Sequence, residues 1–265
     1  MNKPDKFSAK ARIAANSGLT QAGHLTARAD PDLDNTATAI ARVLAGSLQV
    51  LAFPSASHVY NPLIYMWPAH REYMQRYGNL KGRILLVGMN PGPWGMAQTG
   101  VPFGAVSMAR DWLKIEKPLG GPLPDQHEKY PITGFACHRS EGSGDRFWGW
   151  ARRRFNSPDR FFQDIFVWNY CPLLFLRNNR NLVPEQLHKA EREPLFGICD
   201  AALNAVIHAI GPRVVVGIGR FAHGRAQAIA GDKVPTAYLL HPSPANPAAN
   251  QGWADIADQT LAPWL

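Results

Sequence analysis

Asn90, Asn169 and His241 are the side chains of this sequence best suited to chemistry, because each stands where a short apolar run ends. An amide offers one acceptor and two donors. Asn90 is therefore able to hold a water or a hydroxyl group but is no strong base. Asn169 is able to pair with the acceptor–donor edge of a pyrimidine. An imidazole such as His241 can donate a hydrogen bond to a leaving group that gains negative charge. Each has a plainer reading as well: an Asx-turn for Asn90, a buried amide tied to backbone for Asn169, and a satisfied strand-end group for His241. Phe103, between Pro102 and Gly104, has the ring to stack on a base or to fill the core.

Two loops carry most of these residues. The first, residues 88–104, reads GMNPGPWGMAQTGVPFG. Its glycines let backbone N–H groups approach a ligand closely, and its prolines stiffen it. The second, residues 241–250, reads HPSPANPAAN. It is stiff and small-sided, either as a wedge for a stacked duplex must be or as a rigid surface connection is. Arg139 and the run Arg152, Arg153 and Arg154 offer phosphate contacts or a solvated helix face.

Four apolar runs read as buried strands: 83–88, 164–169, 213–217 and 236–240. Helical patterns lie between them at 104–113, 146–155, 184–210 with an interruption at Pro194, and 220–230. Gly211 and Gly231 stand where helix C-caps belong. Asp34 or Asn35 is placed to cap a first helix with Ile40, Val43, Leu44, Leu48 and Leu51 on its apolar face and Pro54 beyond its end. Tyr60-Asn-Pro-Leu opens a second, with Trp67, Tyr73, Met74 and Tyr77 as core contacts. The fold class is α/β: a single domain with a central four-stranded parallel sheet flanked by helices. Ligands of such sheets bind beyond the carboxyl ends of the strands. Met89 and Asn90, Asn169, and His241 therefore converge on one edge.

Length and composition bound the rest. The chain has 265 residues, 46% hydrophobic and 18% charged, which suits a globular protein with a sizeable core. Residues 1–30 read as a flexible basic arm and 31–265 as the folded domain. The formal charge of +8 suits a polyanionic partner without requiring one. Cys137, Cys171 and Cys199 lack the spacing of a metal site, and three is one short of an iron–sulfur set. They read as reduced, buried thiols, with no metal expected. No apolar run of signal-peptide or membrane-spanning length is expected either.

The two loops, with NYCPLLFL at 169–176 between them, resemble the single-strand-selective monofunctional uracil-DNA glycosylases, a branch of the uracil-DNA glycosylase superfamily. Further matching stretches are Tyr60-Asn-Pro, SEGSGDRFWG at 140–149, Val216-Gly-Ile-Gly-Arg220 and Gly252-Trp253. The resemblance covers roughly residues 35–260. It implies that the N-glycosidic bond of uracil, and of 5-substituted uracils, in DNA is hydrolysed to leave an abasic site, which starts base-excision repair. By resemblance, Asn90 positions the attacking water, His241 stabilises the departing base, Asn169 reads the uracil edge and Phe103 stacks on it. Met89 joins the substrate pocket, and Gly92, Pro93 and Met96 shape the floor where a 5-substituent would lie. Pro242, Ser243, Pro244, Ala245, Asn246 and Asn250 would meet the DNA as the nucleotide flips out.

The resemblance further implies no metal or organic cofactor, and as partners single- and double-stranded DNA containing damaged bases. No membrane partner is expected, and a monomer is. The location it implies is the cytoplasm, on the nucleoid, in a bacterium, or the nucleus in a eukaryote. Two departures stand out. Ala245 occupies a wedge position where vertebrate members carry a bulky basic residue, and Trp94 stands where Phe is common. The competing readings are a catalytically silent protein that binds single-stranded or damaged DNA, and a glycosylase directed mainly at deaminated purines. A nucleotide hydrolase is disfavoured, because the first loop lacks the GxxxxGK[ST] pattern and has prolines where cradle N–H groups are needed.

Overall fold

The computed structural model describes residues 36–265; the arm at 1–30 and the cap at Asp34 or Asn35 lie outside the described residues. The chain runs α1 (Thr36–Leu48), β1 (His58–Tyr60), α2 (Pro62–Tyr65), α3 (Trp67–Tyr77), β2 (Ile84–Gly88) and α4 (Met96–Thr99). It continues through α5 (Gly142–Phe155), α6 (Pro158–Asp164), β3 (Ile165–Asn169), β4 (Leu174–Arg177), β5 (Arg180–Leu182) and α7 (Lys189–Ile210). Then come β6 (Val214–Ile218), α8 (Arg220–Ala230), β7 (Thr236–Leu239) and α9 (Trp253–Leu261).

The four expected strands form one parallel sheet in the order β3-β2-β6-β7. Every residue of β2, β3 and β6 is buried. That explains why these strands read as continuous apolar runs and not as alternating ones. In β7, at the edge, only Leu239 is buried. The register pairs Gly88 with Asn169, and the pairing continues past the strand ends: Tyr170 N donates to Gly88 O and Cys171 N to Met89 O, both at 2.9 Å. The first loop and the 169–173 segment therefore leave the sheet side by side.

Helices flank this sheet. α8 packs on β6 and β7, α7 on α8, and α1 on α7. By length and composition α7 is long and apolar enough to cross a membrane, against the expectation that no run reaches that length; here its apolar side meets α1 and α8. Gly211 caps α7 at φ 54°, in the left-handed region that favours glycine. The helix passes through Pro194 without the expected interruption. Pro194 lies in the second turn, so the missing N–H removes a single bond, to the carbonyl of Ala190.

Other expectations need correction. The helix expected at 104–113 is shorter and of another kind: the chain makes tight turns at 100–105, and the helical residues are 106–112, of which Met108–Trp112 form a π-helical turn. Phe103 sits at φ 54° there, and the Thr99 hydroxyl donates to Gly104 O, so helical dihedrals cannot begin at Gly104. Val43 is 64% exposed and does not join the core with Leu44 and Leu48. A small antiparallel sheet, β1-β4-β5, was not expected at all. The three cysteines are free and buried, as expected.

An aromatic cluster fixes α5 behind the first loop. Phe147, Trp148 and Trp150 of α5 meet Phe161 of α6 and, for Phe147 and Trp150, Trp253 of α9, mostly edge to face. Each such pair adds roughly 0.5–1.5 kcal/mol beyond its area burial. The long segment between Leu113 and Glu141 is tied down by Gln98. Its Nε2 donates to Pro93 O and Pro131 O, and its Oε1 accepts from the backbone N–H groups of Thr133 and Gly134.

His70 of α3 makes the first loop sensitive to acid. Its Nδ1 lies 2.7 Å from Gly100 O, and burial lowers its pKa from 6.5 to about 4. The unfolded chain therefore binds a proton at a higher pH than the native one, and stability falls as pH drops from about 6.5 through 4. We expect His70 alone to remove roughly 3 kcal/mol of unfolding free energy between pH 7 and a pH below 4. Urea titrations across that range should show the loss, and His70→Gln should flatten it; an unchanged slope in the variant would place the acid sensitivity elsewhere.

Candidate active site

A pocket of about 170 Å³ opens at the carboxyl edge of the parallel sheet. Met89, Asn90, Pro91, Gly92, Met96 and Phe103 line it from the first loop, Asn169 from β3, and His241 from the segment after β7. Seven of the eight residues expected to catalyse or to bind the base are thus brought together. Pro93 is the exception: it is not in the lining, and its carbonyl accepts from Gln98. It shapes the loop from behind.

The geometry gives each side chain a free face. Asn90 Nδ2 donates to Leu173 O at 3.2 Å, so its carbonyl oxygen is the atom left to hold a ligand. Asn169 is 6% exposed, and its Nδ2 lies 3.1 Å from Met96 Sδ, a weak acceptor that a base can displace. A Cβ on Gly88 would stand 2.4 Å from Asn169 Oδ1 and 2.9 Å from Phe103 Cε2. Glycine at 88 is therefore what lets the reading amide and the stacking ring approach the end of β2.

Phe103 stacks on Phe147 at 4.8 Å between centroids, which covers one ring face and leaves the other to the pocket. Its left-handed backbone is strained for a non-glycine residue, at a cost on the order of 1 kcal/mol. Gly144 of α5 backs the strained turn; a Cβ there would lie 2.1 Å from Phe103 O. The His241 ring is 6.1 Å from that of Phe103. Burial lowers the His241 pKa below its ordinary value, so the imidazole is neutral near pH 7 and carries one donor N–H.

Glu141, Ser143, Asn181 and Val183 also line the pocket, and sequence reasoning gave them no role. Glu141 packs on the first loop so closely that a Cβ on Gly92 would sit 2.3 Å from its Oε2, and one on Gly95 2.8 Å from its Cγ. Burial raises its pKa, the Ser143 N–H opposes that shift, and the Asp145 charge adds to it. The signal that could have found it is this pairing: two glycines three apart in a loop make room for one large side chain elsewhere.

The second loop is braced from within. Asn250 Nδ2 donates to Pro244 O at 2.9 Å, and its Oδ1 accepts from Arg146 at 2.8 Å. The Asn246 side chain accepts from Ala248 N, and the Ser243 hydroxyl from Ala245 N. Pro244, Ala245 and Asn250 are exposed, Ser243 and Asn246 half-buried, and Pro242 buried, so Pro242 anchors the loop and offers no outward surface. Gly142 lets the loop approach α5; a Cβ there would stand 2.7 Å from Pro244 Cγ. Arg152, Arg153 and Arg154 end α5, roughly 17–20 Å along the helix from Glu141, so they are not brought to the pocket. Arg139 rests over the Trp94 ring at 4.8 Å.

A parallel sheet whose carboxyl edge gathers two amides, an aromatic ring and a neutral imidazole defines an α/β protein with a pocket shaped for a small planar polar ligand. Residues 75–259 match the uracil DNA glycosylase superfamily. Relatives described as single-strand selective monofunctional uracil-DNA glycosylases share 48% identity. That of Bos taurus aligns over 77% of this chain and 76% of its own, and that of Rattus norvegicus over 82% and 80%. The chain belongs to the uracil DNA glycosylase superfamily. The crystal structure of wild-type Pedobacter heparinus SMUG2 shares the fold, with a TM-score of 0.60 at 16% identity, covering 84% of this chain and 98% of the other.

Proposed function

We propose that this chain is a monofunctional uracil-DNA glycosylase that starts base-excision repair. It hydrolyses the bond between N1 of uracil and C1′ of deoxyribose and leaves an abasic site. The observation that carries the reading is the meeting of Asn90, Asn169, Phe103 and His241 in one pocket, in a chain of this superfamily. It acts as a monomer on single- or double-stranded DNA.

The base must first leave the stack, at a cost of a few kcal/mol. Stacking on the open face of Phe103 returns roughly 1–3 kcal/mol of that, and the loop tip at Pro244 and Ala245 fills the space the base vacates. As the N1–C1′ bond breaks, its electron pair goes to N1 of the base and spreads onto the two carbonyl oxygens. The His241 N–H donates to this developing anion. The sugar is left electron-poor, and a water held by the Asn90 carbonyl oxygen adds to C1′; its proton passes to solvent, and the departing uracil anion takes one up in turn. Among the described residues no lysine lines the pocket, and the reaction proceeds without a Schiff base, so the strand stays intact.

The test is incubation with end-labelled DNA containing one uracil, with chelator present, followed by hot alkali. Breaks at the uracil only after alkali support the reading, and intact DNA in both strand forms overturns it. Asn169→Ala should lower kcat/KM for uracil by about 10–100-fold, the value of one or two lost hydrogen bonds to a buried base, and should narrow the gap between uracil and other bases. An unchanged substrate profile would assign recognition to the backbone of the loop instead.

A further inference from the structure

We propose that the β4–β5 hairpin is a clamp for the DNA phosphates that flank the flipped nucleotide, with Arg177 and Arg180 as its contacts; this rests on the DNA-directed reading above. The two arginines face each other directly across the hairpin register, and both are exposed. Like charges placed opposite one another on a sheet are destabilising. Among the described residues no carboxylate forms an ion pair with either, whereas Arg76, Arg110, Arg154, Arg213 and Arg225 each have one. Two like charges held together without a counter-ion are an unpaid local cost, and the guanidinium fork fits a phosphate.

The clamp is rigid and stands beside the pocket. Asn178 and Asn179 form the tip with φ of 50° and 60°, the left-handed pair that matches the twist of a two-residue hairpin. The Tyr130 hydroxyl donates to Asn179 O at 2.7 Å, and Lys129 Nζ, a third cation, is 3.5 Å from the same oxygen. Asn181, the residue after Arg180, lines the pocket together with Val183. Side chains alternate along a strand, so the arginines leave the face opposite Asn181. They therefore meet phosphates of the strand as it runs on from the pocket, not the phosphates of the target nucleotide itself.

The experiment measures kcat and kcat/KM on a uracil-containing single-stranded oligonucleotide across a range of salt. For Arg177→Ala/Arg180→Ala, we expect kcat unchanged and kcat/KM lowered about tenfold at low salt. The slope of log kcat/KM against log salt should be shallower by about 1.4, from roughly 0.7 per phosphate contact on a single strand. The double lysine variant should restore most of the slope. A slope equal to wild type, or a fall in kcat, overturns the clamp. If wild type releases no uracil, the functional reading fails on its own. The same salt titration, read as binding of undamaged single-stranded DNA, then decides the clamp by the same change in slope.

Discussion

Replacing His241 with alanine should lower kcat by about 10²–10³ and leave DNA binding close to wild type, because the donor acts on charge that exists only as the bond breaks. The ring is placed for this by the end of β7 on one side and by Gly219 on the other, where a Cβ would lie 3.6 Å from that of His241. Burial lowers the His241 pKa below the ordinary histidine value, so the neutral imidazole predominates at pH 7 and above. The lowered pKa fixes the sign of the pH effect. Between pH 6.5 and 8 the single-turnover rate should not fall as pH rises, since the neutral form is already the donor. A rate that drops through pH 6–7 with increasing pH would mean that the charged imidazolium is the working species. A kcat within threefold of wild type in the variant would remove His241 from the chemistry altogether.

The parallel sheet was legible in the sequence because three of its four strands, β2, β3 and β6, are buried on both faces. RILLVG, DIFVWN and RVVVG read as continuous buried runs, and the ends of the first two and of TAYLL at 236–240 placed Asn90, Asn169 and His241 at one edge. The small sheet was not legible, since β1 and β5 are three residues each and their partner β4 largely coincides with the end of the NYCPLLFL segment. One signal was available: Asn178-Asn179 between two arginines marks a hairpin turn. The helix expected at 104–113 starts two residues late, because the turn strained at Phe103 holds Gly104 and Ala105 out of it, and most of it is a π-helical turn. Pro194 misled in the other direction: α7 continues through it in its second turn although the proline withholds an N–H there. In the second loop, composition identified a stiff element but not which residues face outward. Pro242 is buried, and Asn246 and Asn250 spend hydrogen bonds on the loop itself. Glu141 was invisible as a site residue because its partners, Gly92 and Gly95, are distant in sequence and contribute no side chain.

Asn90→Ala should lower kcat on the order of 10²–10⁴, the range lost when a group that positions or activates a nucleophile is removed, with little change in affinity for uracil-containing DNA. The amide is no base, so its value lies in where it holds the water. Its Nδ2 is committed to Leu173 O at 3.2 Å, which fixes the plane of the side chain and aims the carbonyl oxygen into the pocket. Leu173 belongs to the segment that leaves the sheet beside the first loop, paired through Cys171 N to Met89 O. The orientation of Asn90 is thus inherited from the β2–β3 register. Such a weak activator suffices because bond breaking runs ahead of attack: once the sugar carries positive charge, an oriented water captures it without a strong base. Binding measured by anisotropy and cleavage measured in single turnover separate the two effects. Cleavage at the wild-type rate would take the water-positioning role away from Asn90, and a parallel loss of binding would make the residue a strut of the loop rather than a participant in the reaction.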